Sequence, residues 1–263
     1  MADSGSGARV LVTRPLDQAH GLVNTLKSRG FTPLLQPLLE IVPAEKIEQD
    51  QRQILLELDN YRHIIFVSTN AVRWGMQAIE KFWPQLPTGI HWHAIGAATA
   101  EALAKLSIDV VSPDGDMNSE ALLDSASLQQ VADENILIVR GQGGRTLMAK
   151  ELHKRGARVS SLEIYQRRLP KNTGSLLADT FSQGVDAILI SSGEGLMNLV
   201  SMLEDSSQTG VLTDTIYSLP LVVPGTRVAA LAAELGFKDI LEAENATDAA
   251  MIKALCSSCS QQQ

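Results

Sequence analysis

The feature that most constrains this chain is an alternation, kept up along its whole length, of short apolar runs with stretches of helical periodicity. Predicted strands are Arg9–Thr13, Pro33–Gln36, Ile64–Ser68, Trp92–Ile95, Val110–Ser112, Ile136–Arg140, Val159–Tyr165, Ala187–Ser191, Leu221–Val223 and Asp239–Glu242. Most are near-continuous hydrophobic runs, as strands covered on both faces require. Predicted helices are Gln18–Arg29, Asn70–Lys81, Thr99–Leu106, Ser119–Ser127, Arg145–Arg155, Gly195–Leu203, Thr226–Leu235 and Thr247–Leu255. Three of them stop at a glycine, Gly30, Gly156 and Gly236, the residue that most readily takes the left-handed conformation just past a helix. Strand–helix alternation of this kind predicts an α/β fold with parallel sheets and right-handed crossovers.

The pattern also repeats. Val10-Leu11-Val12-Thr13-Arg14 pairs with Leu137-Ile138-Val139-Arg140, and each is followed by a helix ending in Arg-Gly and an extended run ending in proline, Pro43 and Pro170. A second unit recurs as well: Ile64–Asn70 matches Ile188–Glu194, and Ile95-Gly96 with Thr99 resembles Pro224-Gly225-Thr226. The order is therefore A, B, A′, B′, where each A supplies two strands and each B three. Any A with any B makes a five-stranded doubly wound sheet. Neighbours could pair in tandem, or the lobes could interleave, B with A′ and A with B′. Thr32–Pro43 and Ala157–Pro170 are extended runs about twice the length of an average strand. A run of that length can finish one sheet and cross to another domain, which favours interleaving.

Composition excludes several classes. With 22 Lys and Arg against 30 Asp and Glu the net charge is −8, which is poor footing for a nucleic-acid or anionic-membrane binder. No apolar run is long enough to span a bilayer and the start is polar, so a soluble, cytoplasmic protein is expected. Cys256 and Cys259 form one CxxC at the end of the chain, half a zinc site at best, and read as inert thiols. The histidines are scattered; His91 and His93 share a strand face without an evident third ligand, so no metal site is expected.

Ligands of open α/β sheets bind outside the carboxyl ends of the strands. The turns there are Ser68-Thr69-Asn70, Gly96 to Thr99, Gly141 to Gly144, Ser191-Ser192-Gly193 and Gly225-Thr226. Each opens a helix, whose first N–H groups and partial positive charge suit carboxylates. Taken singly, Ser68, Thr99, Ser192 and Thr226 are as well explained as helix caps. Arg14, Arg140 and Arg145 stand at or just after strand ends and are candidate anion ligands. Gly141-Gln142-Gly143-Gly144 lacks the spacing and the lysine of a nucleotide loop.

Several segments, in order, resemble the uroporphyrinogen-III synthase family: Val12-Thr13-Arg14-Pro15, Phe66-Val67-Ser68-Thr69-Asn70-Ala71-Val72, Ala94-Ile95-Gly96-Ala97-Ala98-Thr99-Ala100, Arg140-Gly141 with Gly144-Arg145, Glu163-Ile164-Tyr165-Gln166-Arg167, Ile190-Ser191-Ser192-Gly193 and Pro224-Gly225-Thr226. The resemblance implies two flavodoxin-like lobes, interleaved and joined by a two-strand linker: residues 1–39 with 167–263, and 40–166, with the active-site cleft between them. It implies a cofactor-free, dehydrating cyclisation of hydroxymethylbilane to uroporphyrinogen III by a monomer. It implies Tyr165 as proton or hydrogen-bond donor to the leaving hydroxyl. Substrate carboxylates would be held by Arg14, Ser68, Thr69, Asn70, Gly96, Thr99, Arg140, Arg145, Ser191, Ser192, Gly193, Gly225 and Thr226. A transient contact with hydroxymethylbilane synthase, as supplier of an unstable substrate, is an expectation that no residue argues for. Two features stand outside the pattern: Glu194 adds a carboxylate beside the expected anion site, and Arg73-Trp74 follow the Ser68 turn, where the resemblance sets no expectation. The alternative is a non-catalytic two-lobed module that closes on an anionic metabolite.

Overall fold

The computed structural model describes residues 7–111, 119–144, 146–171, 173–205 and 210–259. The strands are β1 (Arg9–Val12), β2 (Thr32–Leu35), β3 (Glu40–Pro43), β4 (His63–Phe66), β5 (His91–Ala94), β6 (Val110–Val111), β7 (Asn135–Gly141), β8 (Arg158–Arg168), β9 (Ala187–Leu189), β10 (Leu221–Pro224) and β11 (Ile240–Ala243). The helices are α1 (Leu16–Ser28), α2 (Gln49–Leu56), α3 (Thr69–Ile79), α4 (Ala97–Ala104), α5 (Ser119–Leu123), α6 (Leu147–Lys154), α7 (Thr173–Ser182), α8 (Gly193–Asp205), α9 (Gly210–Ser218), α10 (Gly225–Glu234) and α11 (Asp248–Cys259). The chain divides into two compact units, Met1–Glu40 with Arg168–Gln263, and Ile41–Arg167.

In the first unit the strand order is β11-β10-β9-β1-β2, every neighbour parallel. Register follows from alternation along β1. Val10 and Val12 pack with Leu189, Val222, α1 and α11 on one face, while Leu11 packs with Ile188, Leu221, Val223, α8 and α10 on the other. Both faces are thus apolar, which is why these strands read as unbroken hydrophobic runs. Each fully buried side chain of this kind contributes about 1.5–3 kcal/mol.

The second unit repeats the scheme. Its order is β3-β8-β7-β4-β5-β6, and β8, β7, β4, β5 and β6 run parallel. Ile64, Phe66, Leu137 and Val139 face α3 and α4; Ile65, Ile136 and Ile138 face α5 and α6. The expectation of five strands in each sheet is corrected here, because this sheet has six. The Thr32–Pro43 run is not one strand: β2 ends at Leu35, and the Gln36 and Leu38 amides then donate to Val12 and Thr13 carbonyls at 3.0 and 3.1 Å. The chain resumes as β3, which covers the otherwise open edge of β8.

Gly30, Gly156 and Gly236 have φ of 84°, 86° and 97°. At each, the next residue's amide donates back to the third-last helical carbonyl (Phe31 to Leu26, Ala157 to Leu152, Phe237 to Ala232), closing a Schellman motif. Periodicity does not reveal α2, α7 and α9. Ser112, the end of one predicted strand, lies outside the described residues.

Candidate functional site

In each sheet the chain reverses its winding at one pair of neighbouring strands. α1 and α8 cover opposite faces of β1 and β9; α6 and α3 cover opposite faces of β7 and β4. In open α/β sheets ligands bind at such a point, beyond the carboxyl ends of the strands. The five turns singled out from sequence therefore sort by distance from it. Ser68-Thr69-Asn70 stands at it in the second unit, and Ser191-Ser192-Gly193 in the first. Gly96 to Thr99 and Gly225-Thr226 lie one strand further along. Gly141 to Gly144 follows β7, also at the reversal.

The hydroxyls differ in what they do. Ser68 caps α3, accepting from the Ala71 amide at 3.1 Å, and Ser192 caps α8 by accepting from Gly195 at 3.1 Å. Their matching geometry reflects the internal repeat. Thr99 is the third residue of α4 and is buried, and Thr226 donates to Glu242 Oε1 at 2.7 Å, so neither is a cap. Gly96 precedes α4 with φ 91° and ψ 149°, a region essentially closed to other residues. Gly225 opens α10 with φ 71°. The first amides of these helices have no partner inside the helix.

The arginines are engaged within their own units. Arg14 Nε donates to Ser191 Oγ at 2.9 Å, and its two terminal nitrogens reach the Asp248 carboxylate and the Ala246 carbonyl. It joins the end of β1 to the turn after β9 and to the start of α11. Arg140 Nη2 donates to the Gly144 carbonyl at 2.6 Å, and Nε lies 3.4 Å from Glu163 Oε1. The Arg140 side chain is buried and that of Arg14 is partly buried, at 9% and 11% exposure. Sequence reasoning misses Asp248 and Glu163, because their pairing joins residues distant in sequence. Arg145 lies outside the described residues.

Tyr165 is buried, and its hydroxyl lies 3.0 Å from Ser68 Oγ. Its ring rests against Gly141: a Cβ built there would fall 2.5 Å from Tyr165 Cε2 and 2.7 Å from Cζ. β8 thus brings the one phenol singled out from sequence to the helix cap at the reversal point. The sequence carries a faint sign of this arrangement. In Leu162-Glu163-Ile164-Tyr165 the alternation of apolar and polar residues fails at Tyr165.

The family model for uroporphyrinogen-III synthase HemD matches residues 21–253. The chain belongs to the uroporphyrinogen-III synthase family. It is 34% identical over 251 residues to the uroporphyrinogen-III synthase of Salmonella typhimurium, covering 94% of this chain and 99% of that protein. It is equally identical, over 254 residues, to that of Escherichia coli, with the same coverage of both. Solved structures carrying the family name share the fold. A mutant uroporphyrinogen III synthase from Thermus thermophilus superposes with a TM-score of 0.62 at 20% identity, covering 97% of this chain and all of that one (100%). The uroporphyrinogen-III synthetase of Helicobacter pylori gives 0.60 at 12% identity, covering 95% and 99%.

Proposed function

We infer that the chain converts hydroxymethylbilane into uroporphyrinogen III, closing the linear tetrapyrrole with loss of water and inversion of ring D. The observation that carries this is the family match over residues 21–253. The reaction is a sequence of bond rearrangements without net oxidation. Water leaves the hydroxymethyl carbon on ring A, giving an electrophilic azafulvene. Ring D attacks through its substituted carbon to form a spiro intermediate. That intermediate fragments, recloses the other way round and loses a proton.

The bilane cyclises by itself to the symmetric isomer, so the main task is to hold a conformation in which the hindered carbon reacts. That is catalysis by positioning, which can supply about 7–11 kcal/mol. In this reading each unit is a doubly wound, flavodoxin-like lobe. The substrate carboxylates are held chiefly by backbone amides at the turns after Val67, Ile95, Ile190 and Val223. Support comes from Arg14 and Arg140, whose donors are already occupied within their units, and from helix starts at all four turns. Tyr165 donates a hydrogen bond or a proton to the departing hydroxyl. General acid assistance is typically worth about 10²–10⁴-fold, and water can partly replace a weak acid such as a phenol.

The test is to incubate the purified chain with freshly generated bilane, oxidise the products and separate the isomers. Isomer III should dominate. Isomer I alone, at the rate seen without protein, would overturn the assignment.

A further inference from the structure

We propose that Gly141 is a positioning residue for the cyclisation, fixing where the Tyr165 phenol points; this rests on the reading of Tyr165 as a hydroxyl that serves the substrate. Three observations converge on it. The first is a break in register. β7 and β8 pair Arg140 with Glu163 but Gly141 with Tyr165, so Ile164 is an extra residue in β8. Side chains alternate along a strand, so without the bulge Tyr165 would face away from Leu162 and Ile164. Instead all three share one core with Phe66, Val139 and α3. The Gln142 amide donates to the Tyr165 carbonyl at 2.8 Å and holds the strand beyond the bulge in place.

The second observation is the bare backbone of Gly141. A Cβ there would lie 2.5 Å from Cε2, 2.7 Å from Cζ and 3.0 Å from Cδ2 of the Tyr165 ring. Carbon atoms in contact sit about 3.5–4.0 Å apart, so even a methyl group displaces the ring by about 1 Å. The third is the far end of the ring. Tyr165 Oη lies 3.0 Å from Ser68 Oγ, which already accepts from the Ala71 amide. The Ser68 hydroxyl hydrogen can then be given to Tyr165 Oη, leaving the phenol's own hydrogen for the substrate. A ring moved by about 1 Å loses this partner and its aim together.

The experiment compares Gly141→Ala, Tyr165→Phe and the double variant, reading kcat, KM and isomer ratio. Misplacement by about 1 Å can cost about 10²-fold. Gly141→Ala should therefore lower kcat by tens to a few hundredfold, as Tyr165→Phe should, with KM within about threefold. In the Tyr165→Phe background, where no hydroxyl remains to be aimed, Gly141→Ala should cost less than about threefold more. An equal loss in both backgrounds would make Gly141 merely structural and overturn the proposal, as would full kcat in Gly141→Ala. Unchanged kcat in Tyr165→Phe would instead refute the reading of the phenol, and the positioning role with it. Should Gly141→Ala not fold, Tyr165→Leu added to it should restore folding by removing the ring edge; failure to restore it would show that the ring is not what Gly141 accommodates.

Discussion

At the amino ends of the second unit's strands, His63 and His93 are bonded to each other inside the protein, and this pair should make the fold acid-sensitive in a calculable way. His63 Nδ1 and His93 Nε2 are 2.9 Å apart, His63 Nε2 is 2.8 Å from Glu134 Oε2, and His91 stacks on His63 at 5.2 Å. His93 is 0% exposed and its Nδ1 has no partner among the described residues. Burial, and then the neighbouring His63 and His91, push the His93 pKa from 6.5 down to about 3. Burial also lowers His63, against the opposing pull of Glu134. The folded pKa lies below the unfolded one, so on acidification the unfolded chain binds the proton first. Stability is therefore full above about pH 6.5 and declines as pH falls toward 3. One such group costs about 1.4 kcal/mol per pH unit. Between pH 6.5 and about 4.5 His93 alone removes about 2 kcal/mol, the slope being only half developed at pH 6.5, a large part of a domain's usual stability of about 5–15 kcal/mol. All three tryptophans, Trp74, Trp83 and Trp92, lie in this unit, so urea titrations followed by tryptophan fluorescence report on it. His93→Gln keeps a donor for His63 but does not titrate, and its pH slope should be flatter by up to about 1.4 kcal/mol per unit. Coincident slopes for wild type and His93→Gln would refute the reasoning.

Three further outcomes are expected. Gly75→Ala would ordinarily gain about 1 kcal/mol of helix propensity, but its Cβ would meet Val139 Cγ1 at 2.7 Å and Phe66 Cε1 at 3.1 Å, both fully buried. Overpacking of this kind costs about 1–3 kcal/mol, so a net loss is expected, and a raised Tm would contradict it. Ser107, exposed after α4, takes φ 61°, where a non-glycine residue costs about 1–2 kcal/mol; Ser107→Gly should raise the urea midpoint by the equivalent of up to about 1 kcal/mol, and a lowered midpoint would count against it. If amides hold the substrate, KM should change little between low and roughly 0.5 M salt, because close, partly buried contacts are weakly screened; a rise of a hundredfold or more would assign binding to long-range attraction by basic side chains.

The sequence by itself determined ten of the eleven strands of the described residues and where three of the helices stop. Runs such as Ile64–Phe66 and Leu221–Val223 are apolar at every position because both faces of each sheet are covered, and Gly30, Gly156 and Gly236 mark helix ends because backbone geometry there excludes most other residues. Such signals are local, carried within a few residues, so they survive in the one-dimensional string. Helix α2 escapes because its polar, weakly periodic sequence buries a single residue, Leu55. What only the tertiary structure decided are relations between distant residues. Strand β3 closes the edge of β8, Asp248 occupies Arg14, and Glu134 joins a histidine pair that looks like scattered residues in the string. Above all, one extra residue in β8 turns Tyr165 onto the face where Gly141 makes room for it and Ser68 meets its hydroxyl. A period-two pattern predicts the opposite face for that side chain, and only the pairing partner of a strand can reveal where its register slips.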